Sequence, residues 1–198
     1  MKTLIIPGWQ DSGPRHWQSL FEAAIRESER VVQRDWNTPQ LADWVATLDG
    51  YIRGSGDRAM LVAHSLGCIA VAHWAAQAER SQLEKVAAAM LVAPAAIDRP
   101  DCTPELRNFA PIPMKPLPFR SVLVASDTDP YCPIERAKEF ADAWRSEFRN
   151  IGDAGHINAD AGFGSWPEGI RILRDLAADA HSNRTADAVS GAAYRERS

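Results

Sequence analysis

Two stretches of this chain, Ala59–Ala63 and Val86–Val92, are apolar at every position. They are too short for core-spanning helices, and they lack the alternation of a strand with one wet face. Short continuous apolar runs of this kind suit strands covered on both sides, which means a parallel sheet between layers of helices. Four weaker runs share the rhythm: Thr3–Ile6, Val31–Asp35, Ser121–Ala125 and Phe148–Ile151. Helical patterns lie between them, near Pro14–Ser28, Pro39–Arg53, Leu66–Glu79, Pro133–Ser146 and Trp166–Asp179. Pro14, Pro39, Pro133 and Pro167 sit near the starts of these patterns, where a missing N–H costs nothing. Leu41, Trp44, Val45 and Leu48 share one helix face by their i, i+3, i+4, i+7 spacing. Strands alternating with helices give right-handed crossovers. The expected fold is therefore α/β, a three-layer sandwich around an open, mostly parallel sheet of about six strands.

At 198 residues the chain is long enough for one domain with a substantial core. The domain is expected over residues 1–181. Residues 182–198 are small and polar and carry no apolar face, so they read as a disordered extension. Residues 94–118 also break the rhythm, with seven prolines, and read as an ordered surface excursion before the fifth strand. The net charge of −4 argues against a nucleic-acid partner. No apolar run approaches the ~20 residues of a membrane span, and the N-terminal run is too short for a signal-peptide core. The three cysteines, Cys68, Cys102 and Cys132, are odd in number and widely spaced. That pattern predicts reduced thiols and a cytoplasmic protein, with no disulfide framework and no metal site. Cys68 reads as a small buried residue.

The sharpest chemical signal is Ala63-His64-Ser65-Leu66-Gly67, between an apolar strand and a helix. A nucleophile held on a tight strand-to-helix turn needs small residues two positions either side, because larger ones would strike the adjoining strand and helix. Gly67 meets that need, and Ala63 adds one methyl to the usual glycine. The turn aims the N-terminus of the following helix at the serine, so the Leu66 N–H can stabilise an oxyanion. The competing reading is a serine that merely caps the helix. A serine hydroxyl needs a base, and the base an orienting carboxylate. In chain order these follow as Ser, then acid, then His. Asp127 and Asp129 both lie just past the fifth strand, and the Asp-Pro-x-x-Pro arrangement favours Asp129. His156, among glycines after the last strand, is the candidate base. His64 precedes the acid, and His16, His73 and His181 fit the order less well. The Pro7-Gly8-Trp9 turn after the first strand is placed to supply a second oxyanion donor, the Trp9 N–H. Trp9, Trp17, His64, Phe163 and Trp166 are candidates for a small apolar substrate pocket.

Taken together, Pro7-Gly8-Trp9, His16-Trp17, Ala63-His64-Ser65-Leu66-Gly67, Asp129-Pro130-Tyr131, Gly155-His156-Ile157-Asn158 and Gly162-Phe163-Gly164-Ser165-Trp166-Pro167 resemble the small serine hydrolases of the α/β-hydrolase superfamily. The group they resemble is that of retinoblastoma-binding protein 9 and the bacterial YdeN-like proteins. The resemblance implies a shortened α/β-hydrolase sheet, a triad of Ser65, Asp129 and His156, and no cofactor. It also implies hydrolysis of carboxylic esters or related acyl bonds on a small-molecule substrate. The retinoblastoma interaction does not carry over, since the chain has no Leu-x-Cys-x-Glu. Two other readings stand beside it: a catalytically weak hydrolase scaffold acting as a protein-interaction module, and a lyase or acyltransferase on the same scaffold.

Overall fold

The computed structural model describes residues 1–56 and 58–195, with side chains as far as residue 182. Its strands are β1 (Lys2–Ile6), β2 (Ser28–Arg30), β3 (Ala59–His64), β4 (Val86–Val92), β5 (Arg120–Ala125) and β6 (Glu147–Asn150). They form one open sheet in the order β2-β1-β3-β4-β5-β6, with every neighbouring pair parallel. The helices are α1 (Trp17–Ala24), α2 (Leu41–Gly54), α3 (Leu66–Gln77), the short α4 (Arg80–Leu83), α5 (Ile134–Trp144) and α6 (Pro167–Arg195).

Alternation along the strands divides the core in two. Leu4, Ile6, Leu61, Ala63, Ala89, Leu91 and Leu123 face one side, where Trp44, Leu48, Phe140 and Trp144 of α2 and α5 pack beside α3. Ile5, Met60, Val62, Ala88, Met90, Val92 and Val124 face the other, under Trp17 and Phe21 of α1 and Ile172, Leu173 and Leu176 of α6. Burial on both faces is why β3 and β4 read as unbroken apolar runs. Helix α3 is buried from Leu66 through Ala72 and so has no polar face to show.

Several elements differ in extent from the sequence reading. The second strand pairs through Ser28–Arg30, three residues earlier than the run expected from Val31. As an edge strand it is set by its ladder to β1; Val31 is buried just past it while Val32 is 56% exposed. Helix α1 begins at Trp17 and not at Pro14, because the His16 ring caps it by accepting from the Gln18 N–H. The excursion 94–118 is ordered: it holds a 3₁₀ turn at Pro104–Phe109 and buries Ile97, Leu106, Phe109, Ile112 and Leu117 in the core. The expected extension at 182–198 falls where description runs out. The backbone continues as helix to Arg195, whereas the side chains from 183 and residues 196–198 lie outside the described residues.

The chain runs from β1 outward to β2, then crosses to the far side of β1 as β3, and onward to β6. The winding direction reverses between β1 and β3. In open α/β sheets the carboxyl ends at such a reversal open a crevice. Ile6 and His64 are the residues that end those two strands.

Candidate active site

At the reversal, Ser65 is held at φ 53°, ψ −122°. A non-glycine residue in that region carries strain of ~1–3 kcal/mol. Its N–H donates to the Val92 carbonyl of β4 at 3.0 Å, and its side chain caps no N–H of α3. The capping interpretation therefore does not describe this serine. Two glycines make the turn possible. A Cβ on Gly67 would lie 2.4 Å from the Ile6 carbonyl oxygen and 2.7 Å from that of Pro7. A Cβ on Gly8 would lie 2.8 Å from the Ser65 Cβ and 3.3 Å from the Leu66 nitrogen. Only glycine lets the β1 loop and the first turn of α3 touch in this way, with the Leu66 N–H at the helix N-terminus between them. Beside them Gln18, fully buried, spans the strands where they part. Its Nε2 donates to the carbonyls of Ile6 and Val62 at 3.1 Å each, and its Oε1 accepts from Ser12 Oγ at 2.7 Å.

Past β5 the two aspartates separate. Asp127 is exposed and accepts from Asn150 Nδ2 at 2.6 Å. Asp129 is buried, and both of its carboxylate oxygens face His156 Nδ1, at 3.0 and 2.9 Å. A carboxylate only accepts, so Nδ1 carries a proton, and in the neutral ring Nε2 is the acceptor. The loops that bear them are laced together. Ser126 Oγ donates to Gly152 O and accepts from Ala154 N, while Thr128 Oγ1 donates to Asp153 and accepts from Gly155 N. Tyr131 stands over the imidazole, ring centroids 4.6 Å apart, with the Arg99 guanidinium 5.7 Å from its own centroid.

Two further histidines pack beneath. His64 Nε2 lies 2.9 Å from the carbonyl oxygen of His156, which only accepts, so the His64 proton sits on Nε2. Burial, reinforced by the neighbouring His156 and His16 rings, pushes the His64 imidazole well below its ordinary range. His16 stands edge-on to it at 4.8 Å, and burial lowers its pKa to about 4. Its Nδ1 accepts from the Gln18 N–H, while its Nε2 is buried with no protein partner. Both rings are neutral at neutral pH.

A cleft of about 440 Å³ opens over these groups. One wall is polar and comes from the loop after β1, through Trp9, Gln10, Asp11, Arg15 and His16. A second wall, mostly apolar, comes from the proline-rich excursion, through Ala95, Ala96, Ile97, Cys102 and Leu106 together with Arg99 and Thr103. Ser65, His64 and His156 also line the cleft. Of the residues expected to line a pocket, Trp9 and His64 do. Trp17, Phe163 and Trp166 do not: Trp166 packs against Trp17 and Phe21, centroids 5.3 and 6.3 Å away, and Phe163 packs on Trp166 in the core under α1 and α6. Aromatic content alone carried no information about which layer these rings join. Nothing in the sequence marked the wall at 95–106, because its role depends on where the excursion folds back.

Burial pushes the Cys68 thiol far up and that of Cys132 up to about 12, so neither is a thiolate at neutral pH. Among the described residues no cluster of His, Cys, Asp and Glu is arranged to hold a metal ion, and no helix is long and apolar enough to cross a membrane.

The family model described as serine hydrolase matches residues 3–175. No curated protein matches the sequence. The structure of a YdeN-like hydrolase from Pectobacterium atrosepticum is 33% identical, with a TM-score of 0.79 over 90% of this chain and 91% of that one. The ydeN gene product of B. subtilis, 22% identical, gives 0.73 over 90% and 100% of the two chains. Thermogutta terrifontis esterase 2, solved in a form phosphorylated by paraoxon, is 18% identical and shares the fold with a TM-score of 0.60 over 89% and 80%. The family match spans most of the chain, and the fold is that of an open α/β-hydrolase sheet. The chain belongs to the serine hydrolase family, among its small YdeN-like α/β hydrolases.

Proposed function

We propose that the protein hydrolyses carboxylic esters or related acyl bonds of small substrates through Ser65, His156 and Asp129. The observation that carries this reading is the buried Asp129 carboxylate bonded to His156 Nδ1 on the same sheet edge as a serine in a strained strand-to-helix turn. Ser65 Oγ attacks the acyl carbon while His156 Nε2 takes its proton. Asp129 keeps the ring in the required tautomer and stabilises the imidazolium. The Leu66 N–H, at the positive end of α3, and the Trp9 N–H, carried in by Gly8, bind the oxyanion. The C–O bond to the leaving group then breaks as His156 returns the proton to the departing oxygen. Water, deprotonated by the same nitrogen, releases the acid and restores Ser65.

The cleft volume lies at the lower end of the range for small-molecule sites, which favours short acyl groups over long lipid chains. The reading requires no cofactor, nucleic acid or membrane, and the three free, buried cysteines support a cytoplasmic location. The test is labelling with a fluorophosphonate, read by intact mass and peptide mapping. One adduct on Ser65, abolished in Ser65→Ala and slowed in His156→Ala, is expected. A folded wild-type protein that forms no adduct, or an adduct that survives in Ser65→Ala, would overturn the assignment.

A further inference from the structure

The peptide groups that follow His156 are held in an unusual way. The carbonyl of His156 accepts from His64 Nε2 at 2.9 Å, and the next carbonyl, that of Ile157, accepts from Trp17 Nε1 at 2.8 Å. Both bonds are long-range, reaching across 92 and 140 residues of sequence. Between the two carbonyls, Ile157 stands at φ 47° and is wholly buried. A β-branched residue at positive φ is a true outlier, and it persists only where its surroundings over-determine it. Two consecutive carbonyls, each gripped by an aromatic ring N–H, provide that constraint.

We infer that His64 and Trp17 are positioning residues for the base: their ring N–H groups clamp the two carbonyls around strained Ile157 and so aim the His156 imidazole between Asp129 and Ser65. This rests on the assignment of His156 as the base. His64 is not itself an acid or base in the reaction, because its one proton is committed to the carbonyl and its buried ring stays neutral. It is also the residue before Ser65, so the turn that presents the serine grips the loop that presents the histidine. The separation between the two groups is then set by one ring and one hydrogen bond, with little dependence on the rest of the 151–166 loop. Edge contacts from His16 to His64 and from Trp17 to His64, at 4.8 and 6.0 Å, stop the clamp from rotating.

The test compares His64→Gln, which keeps an N–H donor at similar reach, with His64→Leu, which removes it, and Trp17→Phe, which keeps a ring but loses the donor. Turnover of a short-chain p-nitrophenyl ester is followed, together with the proton NMR signal of the His156 Nδ1–H bonded to Asp129. A misplacement near 1 Å costs about 10²-fold in rate. His64→Leu should therefore lose roughly 10–100-fold in kcat with KM little changed. His64→Gln should recover most of that loss, and the Nδ1–H signal should vanish only in His64→Leu. Should His64→Leu fail to fold, Trp17→Phe stands in, with a smaller loss in kcat and a broadened signal expected. The inference fails if the signal is unchanged in the folded donor-lacking variant, if the loss resides in KM, or if His64→Gln is as impaired as His64→Leu. Ester turnover that persists in Ser65→Ala would instead remove the hydrolase mechanism, leaving the NMR comparison to decide the clamp.

Discussion

Replacing Gly67 by alanine separates two effects that usually travel together. In a helix interior, glycine to alanine is worth about 1 kcal/mol of added stability, because alanine loses less backbone entropy on folding. At Gly67 the new Cβ would sit 2.4 Å from the Ile6 carbonyl oxygen, where ordinary contact begins at 3.4 Å. The first turn of α3 and the end of β1 must therefore part by about 1 Å. Neither yields easily: Ile6 O is pinned by Gln18 Nε2, and Ser65 N by Val92 O. Overpacking of this kind costs about 1–3 kcal/mol, so after the propensity gain a net loss of about 0–2 kcal/mol remains. For a domain this size that lowers Tm by up to about 8 °C. The gap also carries Gly8 and Trp9 away from Ser65, and turnover of a small ester should fall about 10²-fold. Gly50, exposed in α2 with no heavy atom within 4 Å of its would-be Cβ, is the control. Gly50→Ala should raise Tm and leave turnover unchanged. Thermal melts and ester assays on both variants decide it. A Gly67→Ala protein as stable as wild type and within twofold of its rate would refute the contact as the determinant of this geometry.

Other substitutions give sharp expectations. Gln18→Leu strands the buried carbonyls of Ile6 and Val62, and chemical denaturation should show a loss of about 2–6 kcal/mol, at ~1–3 kcal/mol per unsatisfied group; a loss under 0.5 kcal/mol would deny the bridge. Asp129→Asn should lower kcat by roughly 10³–10⁴-fold, while Asp127→Asn, at an exposed bond to Asn150, should stay within about threefold. Equal losses in the two would contradict the assignment of the acid. His16 has an ordinary pKa of 6.5 and a folded value of about 4, so the unfolded chain binds more protons between those limits. Stability is complete above pH ~6.5 and declines as pH falls toward ~4, by up to about 3 kcal/mol from this group, with buried His64 acting in the same direction. Urea midpoints between pH 7 and 4.5 should fall steadily, and a flat profile would mean that His16 is not buried neutral.

How much of this was legible in the sequence follows from where each constraint lives. β3 and β4 announce themselves because burial on both faces removes every polar residue from the run. β2 does not, because an edge strand is placed by its partner, and Ser-Glu-Arg has no apolar signature. The turn at Ser65 was legible through Gly67, since a steric demand that local leaves a mark on composition. The preference for Asp129 over Asp127 rested on a proline pattern, and the structure distinguishes them by burial and by which carboxylate faces His156. Gln18, the clamp on Ile157 and the apolar wall at Ala95–Leu106 left no trace in the sequence. Each joins segments far apart in the chain, and none has a spacing that repeats.

The division of the cleft into two walls has a consequence for how such an enzyme can change. Of the groups proposed to perform the chemistry, Ser65 follows β3 directly, and Asp129 and His156 sit in the loops after β5 and β6. The apolar wall hangs on a segment that contributes no strand to the sheet, between β4 and β5. Drift at Ile97, Cys102 and Leu106 can therefore reshape what the cleft admits, while Ala96 and Arg99, bonded to the carbonyls of Tyr131 and Pro130, tie the same segment to the loop of Asp129. Heritable variation in substrate preference and preservation of the reaction then fall to different residues of the chain, so relatives can share a mechanism and still part ways in diet.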